Sequence, residues 1–176
     1  MERIDFVVTW LDPSNPLWKK HFQQYKQTAK AADTGKGRYR EMHIFQYWFR
    51  AVERYAPWVN KVYLVTNGKF PDWINKECPK LVLVKHEDFI PKEYLPTFNS
   101  CTIELHLHRI KGLSEHFVYF NDDMFLNGPV SPYYFSETVS PVTPIKRHVS
   151  MFPSIHAQKG STSRCQYLPT WVSNFE

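Results

Sequence analysis

The stretch His116–Phe125, which reads HFVYFNDDMF, decides the fold and the function expected of this chain. Its first part, Phe117–Phe120, combines aromatic and β-branched residues that are typical of a covered strand. The polar triplet Asn121–Asp123 follows where this strand would end. Ligands of open α/β sheets bind outside the carboxyl ends of the strands, so the triplet predicts a site for a metal ion and its phosphates. Ordinary turn chemistry also explains Asn and Asp after a strand, and the triplet alone leaves both interpretations open.

A geometric condition applies to the two carboxylates of this triplet. Neighbouring side chains of a strand point to opposite faces, so Asp122 and Asp123 can reach one ion only if the backbone turns at Asn121. Without that turn, one carboxylate would bind the ion and the other would serve the acceptor or the fold.

Length and charge restrict the class of protein. A chain of 176 residues with 43% hydrophobic content predicts one domain with a real core. The formal charge of +5 comes from scattered basic residues, which fit a cleft for a phosphorylated ligand as well as they fit a nucleic acid. We expect no nucleic-acid partner. Aromatic residues, 16% of the chain, can pack a core and can also stack on sugars and bases.

The three cysteines and the apolar segments predict a compartment. Cys78, Cys101 and Cys165 are widely spaced and form no CxxC pair, which favours reduced thiols over a disulfide framework or a zinc site. The first residues resemble no signal peptide, and no apolar run approaches the length of a transmembrane segment. We therefore expect a cytoplasmic location.

The remaining strands and helices follow from the spacing of apolar residues. Strands are predicted at Ile4–Trp10, Val62–Thr66 and Leu81–Val84, in addition to Phe117–Phe120. Helices are predicted after Ser14-Asn15-Pro16, with an apolar stripe of Leu17, Trp18, Phe22 and Tyr25, and over Glu41–Tyr55. The alternation of strands and helices predicts an α/β fold with a mostly parallel sheet and covering helices. Asp12 then follows the first strand as Asp122 follows the last.

The segment Asn99–Ile110 fits two structures. Alternation of apolar and polar residues suits a strand, whereas the capping-type Asn99-Ser100 and the later apolar residues suit a helix. We predict a helix because a crossover is needed before Phe117, and a helix would place Glu104 and His108 on one face. Beyond Gly128, prolines predict an irregular extension over residues 129–176, a lid or a truncated remainder, with one extended piece near Pro144–Ser150.

Four segments, taken together and in order, resemble the Stealth family of sugar-phosphate transferases. They are Ile4–Asp12 (IDFVVTWLD), Arg38–Glu41 (RYRE), Leu95–Ser100 (LPTFNS), and Leu107–Ile110 (LHRI) running on to Asn121–Phe125 (NDDMF). The family includes bacterial capsular polysaccharide phosphotransferases and the animal enzyme that tags lysosomal proteins. The resemblance covers roughly residues 2–128 and implies a nucleotide-sugar-binding core over residues 1–128, Rossmann-like and glycosyltransferase-A-like. It also implies transfer of a hexose 1-phosphate to a glycan hydroxyl with release of a nucleoside monophosphate.

The resemblance assigns roles to residues. The implied catalytic residues are Asp12, Arg40, Asn121, Asp122 and Asp123, and the implied substrate-binding residues are Arg38, Asn99, Ser100, Glu104 and His108. Asp122 and Asp123 are the expected ligands of Mg²⁺ or Mn²⁺, because hard cations prefer carboxylate oxygens. A nucleotide-sugar donor and a glycan acceptor are the implied partners, with peripheral association with the capsule synthesis machinery and no transmembrane segment.

The chain also departs from the family pattern. Pro13 stands where the family usually has Gly, Glu41 where it has Asp, and Cys101 where it has His. The family's third and fourth blocks, expected to bring a catalytic His and an Arg, have no clear counterpart, and His148 or His156 could substitute for that His. An ordinary metal-dependent glycosyltransferase and an incomplete, non-catalytic nucleotide-sugar or glycan-binding domain therefore remain as alternatives.

Overall fold

A four-stranded, wholly parallel sheet forms the centre of the molecule. The structure is a computed structural model that describes residues 3–28, 43–136 and 171. The strands are β1 (Ile4–Thr9), β2 (Val62–Thr66), β3 (Leu81–Lys85) and β4 (His116–Phe120), in the spatial order β3-β2-β1-β4. All four strands lie where the apolar runs predict them. The α/β, Rossmann-like fold is therefore confirmed.

Four α-helices and three short 3₁₀-helices accompany the strands in the described residues. The α-helices are α1 (Pro16–Thr28), α2 (Phe45–Tyr55), α3 (Ser100–His106) and α4 (Pro132–Ser136). The 3₁₀-helices are His86–Asp88, Lys92–Tyr94 and Leu107–Arg109. Within residues 3–28, 43–136 and 171, no helix is both long enough and apolar enough to cross a bilayer.

Helix α1 begins as its sequence predicts. The Asn15 side chain accepts a hydrogen bond from the backbone N–H of Leu17 at 3.0 Å, and Pro16 occupies the first helical position, where its missing N–H costs nothing. The predicted apolar stripe is correct for Trp18 and Phe22, which are buried, but wrong for Leu17. Leu17 is 68% exposed because it points about 100° around the helix from the buried Trp18 that follows it.

The sheet is covered on both faces, which explains its continuous apolar strands. Phe6, Val8 and Leu64 pack on one face against α2, whose Trp48 and Phe49 are fully buried. The other face holds a second set of buried side chains, namely Val7, Tyr63, Val65, Tyr119, Leu107 and Ile110. The second set joins the segment after α3 to the sheet, and so fixes the chain that leads into β4.

The Asn99–Ile110 segment is helical, so the strand alternative is wrong. Asn99 caps α3 by accepting a hydrogen bond from the Cys101 backbone N–H at 3.0 Å. Leu105, which a strand would place on the same face as Leu107, is 71% exposed while Leu107 is buried. The α-helix gives way to the 3₁₀-helix Leu107–Arg109, so His108 does not continue the α-helical face of Glu104.

Residues beyond Gly128 contact the core where the structure describes them. The Val130 N–H donates to the carbonyl of Tyr55 at 3.0 Å, and the indole N–H of Trp58 donates to the carbonyl of Val130 at 2.7 Å. Trp171 is buried against Phe49. The expected division at residue 128 stays a prediction, and the extended piece predicted near Pro144–Ser150 lies outside the described residues.

Candidate functional site

The strand order places a topological switch point between β1 and β4. After β1 the chain builds β2 and β3 on one side, and β4 then returns to the opposite side of β1. Ligands of open α/β sheets bind at such a switch point, outside the carboxyl ends of the two strands that flank it. The register pairs Val8 with Phe120, so the loop carrying Asp12 and the Asn121–Asp123 triplet leave the sheet side by side.

Asp12 is held on both of its oxygens. It is 7% exposed, and its Oδ1 accepts hydrogen bonds from the backbone N–H of Ser14 at 2.8 Å and from the Ser14 hydroxyl at 2.6 Å. Its Oδ2 lies 2.5 Å from Nζ of Lys69. Burial by itself would raise the pKa of Asp12, but the bonds from Lys69 and Ser14 outweigh it and hold the pKa below the ordinary value. Asp12 is therefore a fixed negative charge and a weak proton acceptor near neutral pH.

Lys69 belongs to the candidate site by its contact with Asp12 and is not among the residues predicted from the sequence. It follows β2, after the turn at Asn67-Gly68, where Gly68 adopts a φ of +112° that favours glycine. The Lys69 side chain is 43% exposed, and its pKa is raised by the hydrogen bond to Asp12. The signal that could have found it is this turn, because a residue just after a parallel strand lies at the carboxyl edge.

A second side-chain network crosses from β1 to β4. The Thr9 hydroxyl lies 3.1 Å from the Tyr119 hydroxyl, which donates to Oδ1 of Asn121 at 2.7 Å. Burial raises the pKa of Tyr119 to about 12, and the negative charges of Glu104, Asp122 and Asp123 contribute. The hydroxyl therefore stays protonated near neutral pH. Neither Thr9 nor Tyr119 is among the predicted site residues.

The backbone turns at the triplet, as sharing one ion between Asp122 and Asp123 would require. The N–H of Met124 donates to the carbonyl of Asn121 at 3.1 Å, and Asp122 and Asp123 form the exposed turn between them. Mg²⁺ is commonly held by one or two carboxylates together with substrate phosphates, and two carboxylates on one turn fit that role. In the described parts of the chain, no group of three or more His, Cys, Asp or Glu side chains is arranged to hold a metal ion.

The other predicted residues are spread more widely. Glu104 of α3 is half-buried and lies within electrostatic range of the Tyr119 hydroxyl. Asn99 and Ser100 begin α3, where the Asn99 side chain caps the helix, and His108 is exposed. Arg38 and Arg40 lie outside the described residues, as do His148 and His156. The structure thus places Asp12 and Asn121–Asp123 after the carboxyl ends of the neighbouring strands β1 and β4, with Glu104 near Tyr119.

Comparison with known protein families identifies the family of the chain. The family model described as Stealth protein CR2, conserved region 2, matches residues 38–142, which include α2, the whole of β2 to β4 and the Asn121–Asp123 turn. The chain belongs to the Stealth family. The matched region thus carries one of the two strand ends that flank the switch point, and Asp12 and β1 lie before it.

Individual relatives extend the similarity of this Stealth family member over most of the chain. It is 47% identical to the capsular polysaccharide phosphotransferase WcwK of Streptococcus pneumoniae over 165 residues, which are 92% of the chain and 48% of the relative. It is 46% identical over the same length to the receptor polysaccharide phosphotransferase WefC of Streptococcus oralis, with 92% and 48% covered. Over 126 residues it is 52% identical to the capsular polysaccharide phosphotransferase eps5J of Streptococcus thermophilus, covering 70% of the chain and 53% of the relative. The chain therefore spans about half the length of these relatives.

Proposed function

We propose that the chain forms the donor-binding core of a sugar-phosphate transferase in polysaccharide synthesis. The reaction would move a hexose 1-phosphate from a nucleotide sugar to a glycan hydroxyl and release a nucleoside monophosphate. The observation that carries this proposal is that the Asn121–Asp123 turn and the Asp12–Lys69 pair follow the carboxyl ends of three neighbouring strands, β4, β1 and β2. The names of the relatives, which are polysaccharide phosphotransferases, support the same reaction class.

The residues at these strand ends have the chemistry that phosphoryl transfer needs. The acceptor oxygen forms a bond to the phosphorus that carries the sugar, the bond from that phosphorus to the nucleoside monophosphate breaks, and the hydroxyl proton is released. Catalysis of such a step consists mainly of placing the phosphates and offsetting their charge. Lys69 supplies a cation, and Asp12 fixes its position. Arg38 and Arg40 remain predicted phosphate-binding residues.

Asp122 and Asp123 are the proposed ligands of a divalent cation. Mg²⁺ or Mn²⁺ held there would withdraw negative charge from the donor phosphates. The role of the protein is to present both carboxylates on one turn at the carboxyl end of β4, next to the Asn121 amide. Glu104, on α3, lies within electrostatic range of the Tyr119 hydroxyl and would add a further negative charge there.

Analysis of the products tests the proposed reaction against its alternatives. The chain is incubated with Mg²⁺, a capsular glycan acceptor and UDP-sugars labelled in the sugar. Release of UMP together with phosphate-linked label on the glycan supports sugar-phosphate transfer. Release of UDP would instead indicate an ordinary glycosyltransferase and would contradict the proposal. Binding of the donor without turnover would favour the alternative of a non-catalytic binding domain. The chain covers 48% of the length of WcwK and of WefC, which is compatible with that alternative.

A further inference from the structure

The buried tyrosines Tyr119 and Tyr63 differ in the partners of their hydroxyl groups. Tyr119 lies on β4 beside Val7 of β1, and Tyr63 of β2 flanks Val7 on the other side, so the two tyrosines stand on one face of the sheet. Tyr63 donates its hydroxyl proton to the carbonyl of Gly112 at 2.5 Å. Tyr119 instead directs its hydroxyl to Thr9 and Asn121, at the carboxyl edge of the sheet.

The donor and acceptor of each hydrogen bond in this network follow from the number of hydroxyl protons. A tyrosine hydroxyl has one proton to donate, and in Tyr119 that proton goes to Oδ1 of Asn121. The Thr9 hydroxyl, 3.1 Å away, must then be the donor to Tyr119. The chain of hydrogen bonds therefore runs from Thr9 through Tyr119 to Asn121, and it ends on the amide oxygen.

The direction decides which end of the Asn121 amide is available for binding. With its oxygen held by Tyr119, the NH₂ group of the amide points away from that hydroxyl. Asp122, Asp123 and Glu104, the charged groups around the network, are carboxylates that only accept hydrogen bonds when ionised. A phosphate oxygen also needs donors, so an NH₂ group here suits it, whereas an outward amide oxygen would add another acceptor to an already acidic turn.

We propose that Tyr119 is a positioning residue that orients the Asn121 amide so that its NH₂ group donates to a phosphate oxygen of the sugar-nucleotide donor. The inference rests on the proposed function. It adds which end of the Asn121 amide contacts the phosphate, and it names Tyr119 as the residue that orients this amide. Asn121 is then a ligand of the phosphate and not of the metal ion. Thr9 fixes Tyr119 by donating to its hydroxyl.

Two tyrosine-to-phenylalanine variants test this role. Tyr119→Phe and Tyr63→Phe each remove one buried hydroxyl and one hydrogen bond from the same face of the sheet, so their losses of stability should be similar. The dissociation constants of UDP-glucose and UDP-N-acetylglucosamine are measured by calorimetry with saturating Mg²⁺. For Tyr119→Phe the dissociation constant of whichever UDP-sugar binds should rise about tenfold. This is the loss of affinity expected for one hydrogen bond to a charged group. For Tyr63→Phe it should stay within about twofold, since its hydroxyl lies away from the carboxyl edge.

An NMR measurement distinguishes a positioning role of Tyr119 from a general loss of order around the site. The side-chain NH₂ resonances of Asn121, assigned by their absence in Asn121→Asp, should shift when donor is added to the wild-type chain. In Tyr119→Phe, the change in chemical shift of these resonances on adding donor should be smaller. Equal weakening of donor binding in both phenylalanine variants, or unchanged binding in Tyr119→Phe, would overturn the inference while leaving the proposed function intact. Absence of any donor binding to the wild-type chain would overturn both.

Discussion

The Lys69 ammonium lies 2.5 Å from Oδ2 of Asp12 and thereby joins the loop after β2 to the loop after β1. The two residues are 57 positions apart in the chain. The pair sits beside the switch point between β1 and β4, so it places one fixed anion and one half-exposed cation at the edge where a ligand of this fold would bind. Its cation is the natural partner for a phosphate, and its anion keeps that cation in place.

Removal of the Lys69 charge should weaken donor binding. We expect Lys69→Met to raise the dissociation constant of a bound UDP-sugar by about tenfold, because charge-assisted hydrogen bonds to phosphate are among the stronger polar contacts. Stability should fall modestly, because the buried Asp12 carboxylate loses one of its partners. Calorimetry on Lys69→Met and on Lys69→Arg, which keeps the charge, provides the measurement. Equal donor affinity in the wild type and in Lys69→Met would contradict a phosphate-binding role.

Neutralisation of the carboxylate turn should affect metal-dependent binding. Asp122→Asn and Asp123→Asn are each expected to lower the affinity for Mn²⁺ in the presence of donor by tenfold or more, on the order of the loss of one charged ligand. The fold should be retained, because both side chains are exposed. Glu115→Gln, an exposed carboxylate just before β4, is the matched control. Unchanged Mn²⁺ affinity in both turn variants would contradict a metal site at this turn.

His86 should make stability depend on pH. Burial lowers its pKa to about 4, from an ordinary value of 6.5, so the folded chain holds this imidazole neutral over a range in which the unfolded chain protonates it. The unfolded state thus binds more protons between pH 6.5 and 4, and stability falls as the pH drops through this window. The contribution of His86 to the loss is about 2 kcal/mol between pH 7 and pH 5. Urea unfolding at both pH values should show a smaller difference in His86→Gln, and equal differences in the two proteins would count against this origin.

Asp5 should matter for folding and not for the site. It is fully buried, and its oxygens accept from the Asn60 side chain at 2.7 Å, the Lys61 N–H at 3.1 Å and the Ser114 N–H at 2.7 Å. Asp5→Ala would leave these donors without an acceptor and should cost on the order of 3–5 kcal/mol in free energy of unfolding. Glu115→Ala, at an exposed neighbouring position, should cost no more than about 0.5 kcal/mol. A small loss in Asp5→Ala would show that water replaces the missing carboxylate.

Asp5 and Asp12 show what can be predicted from the local sequence and what cannot. Both flank the same apolar run, but Asp5 lies at the amino edge of the sheet and Asp12 at the carboxyl edge. The order of the residues along the chain already distinguishes the two edges, and Asp12 is among the predicted site residues. The partner of Asp12 is not predictable in this way, because Lys69 comes from another strand end, and nothing in the sequence near Asp12 specifies which loop will face it.

The sequence by itself determined the four strands, the helix starts at Pro16 and Ser100, and the placing of Asp12 and Asn121–Asp123 at strand ends. Those features depend on apolar spacing, capping residues and turn residues, which act over a few positions of the chain. Only the tertiary structure decided that β4 lies beside β1, because strand order depends on how distant apolar faces pack together. The Thr9–Tyr119 contact spans 110 positions and follows from that pairing alone. The turn at Asn121–Asp123 was therefore readable from the sequence, whereas the hydrogen bond that orients Asn121 was not.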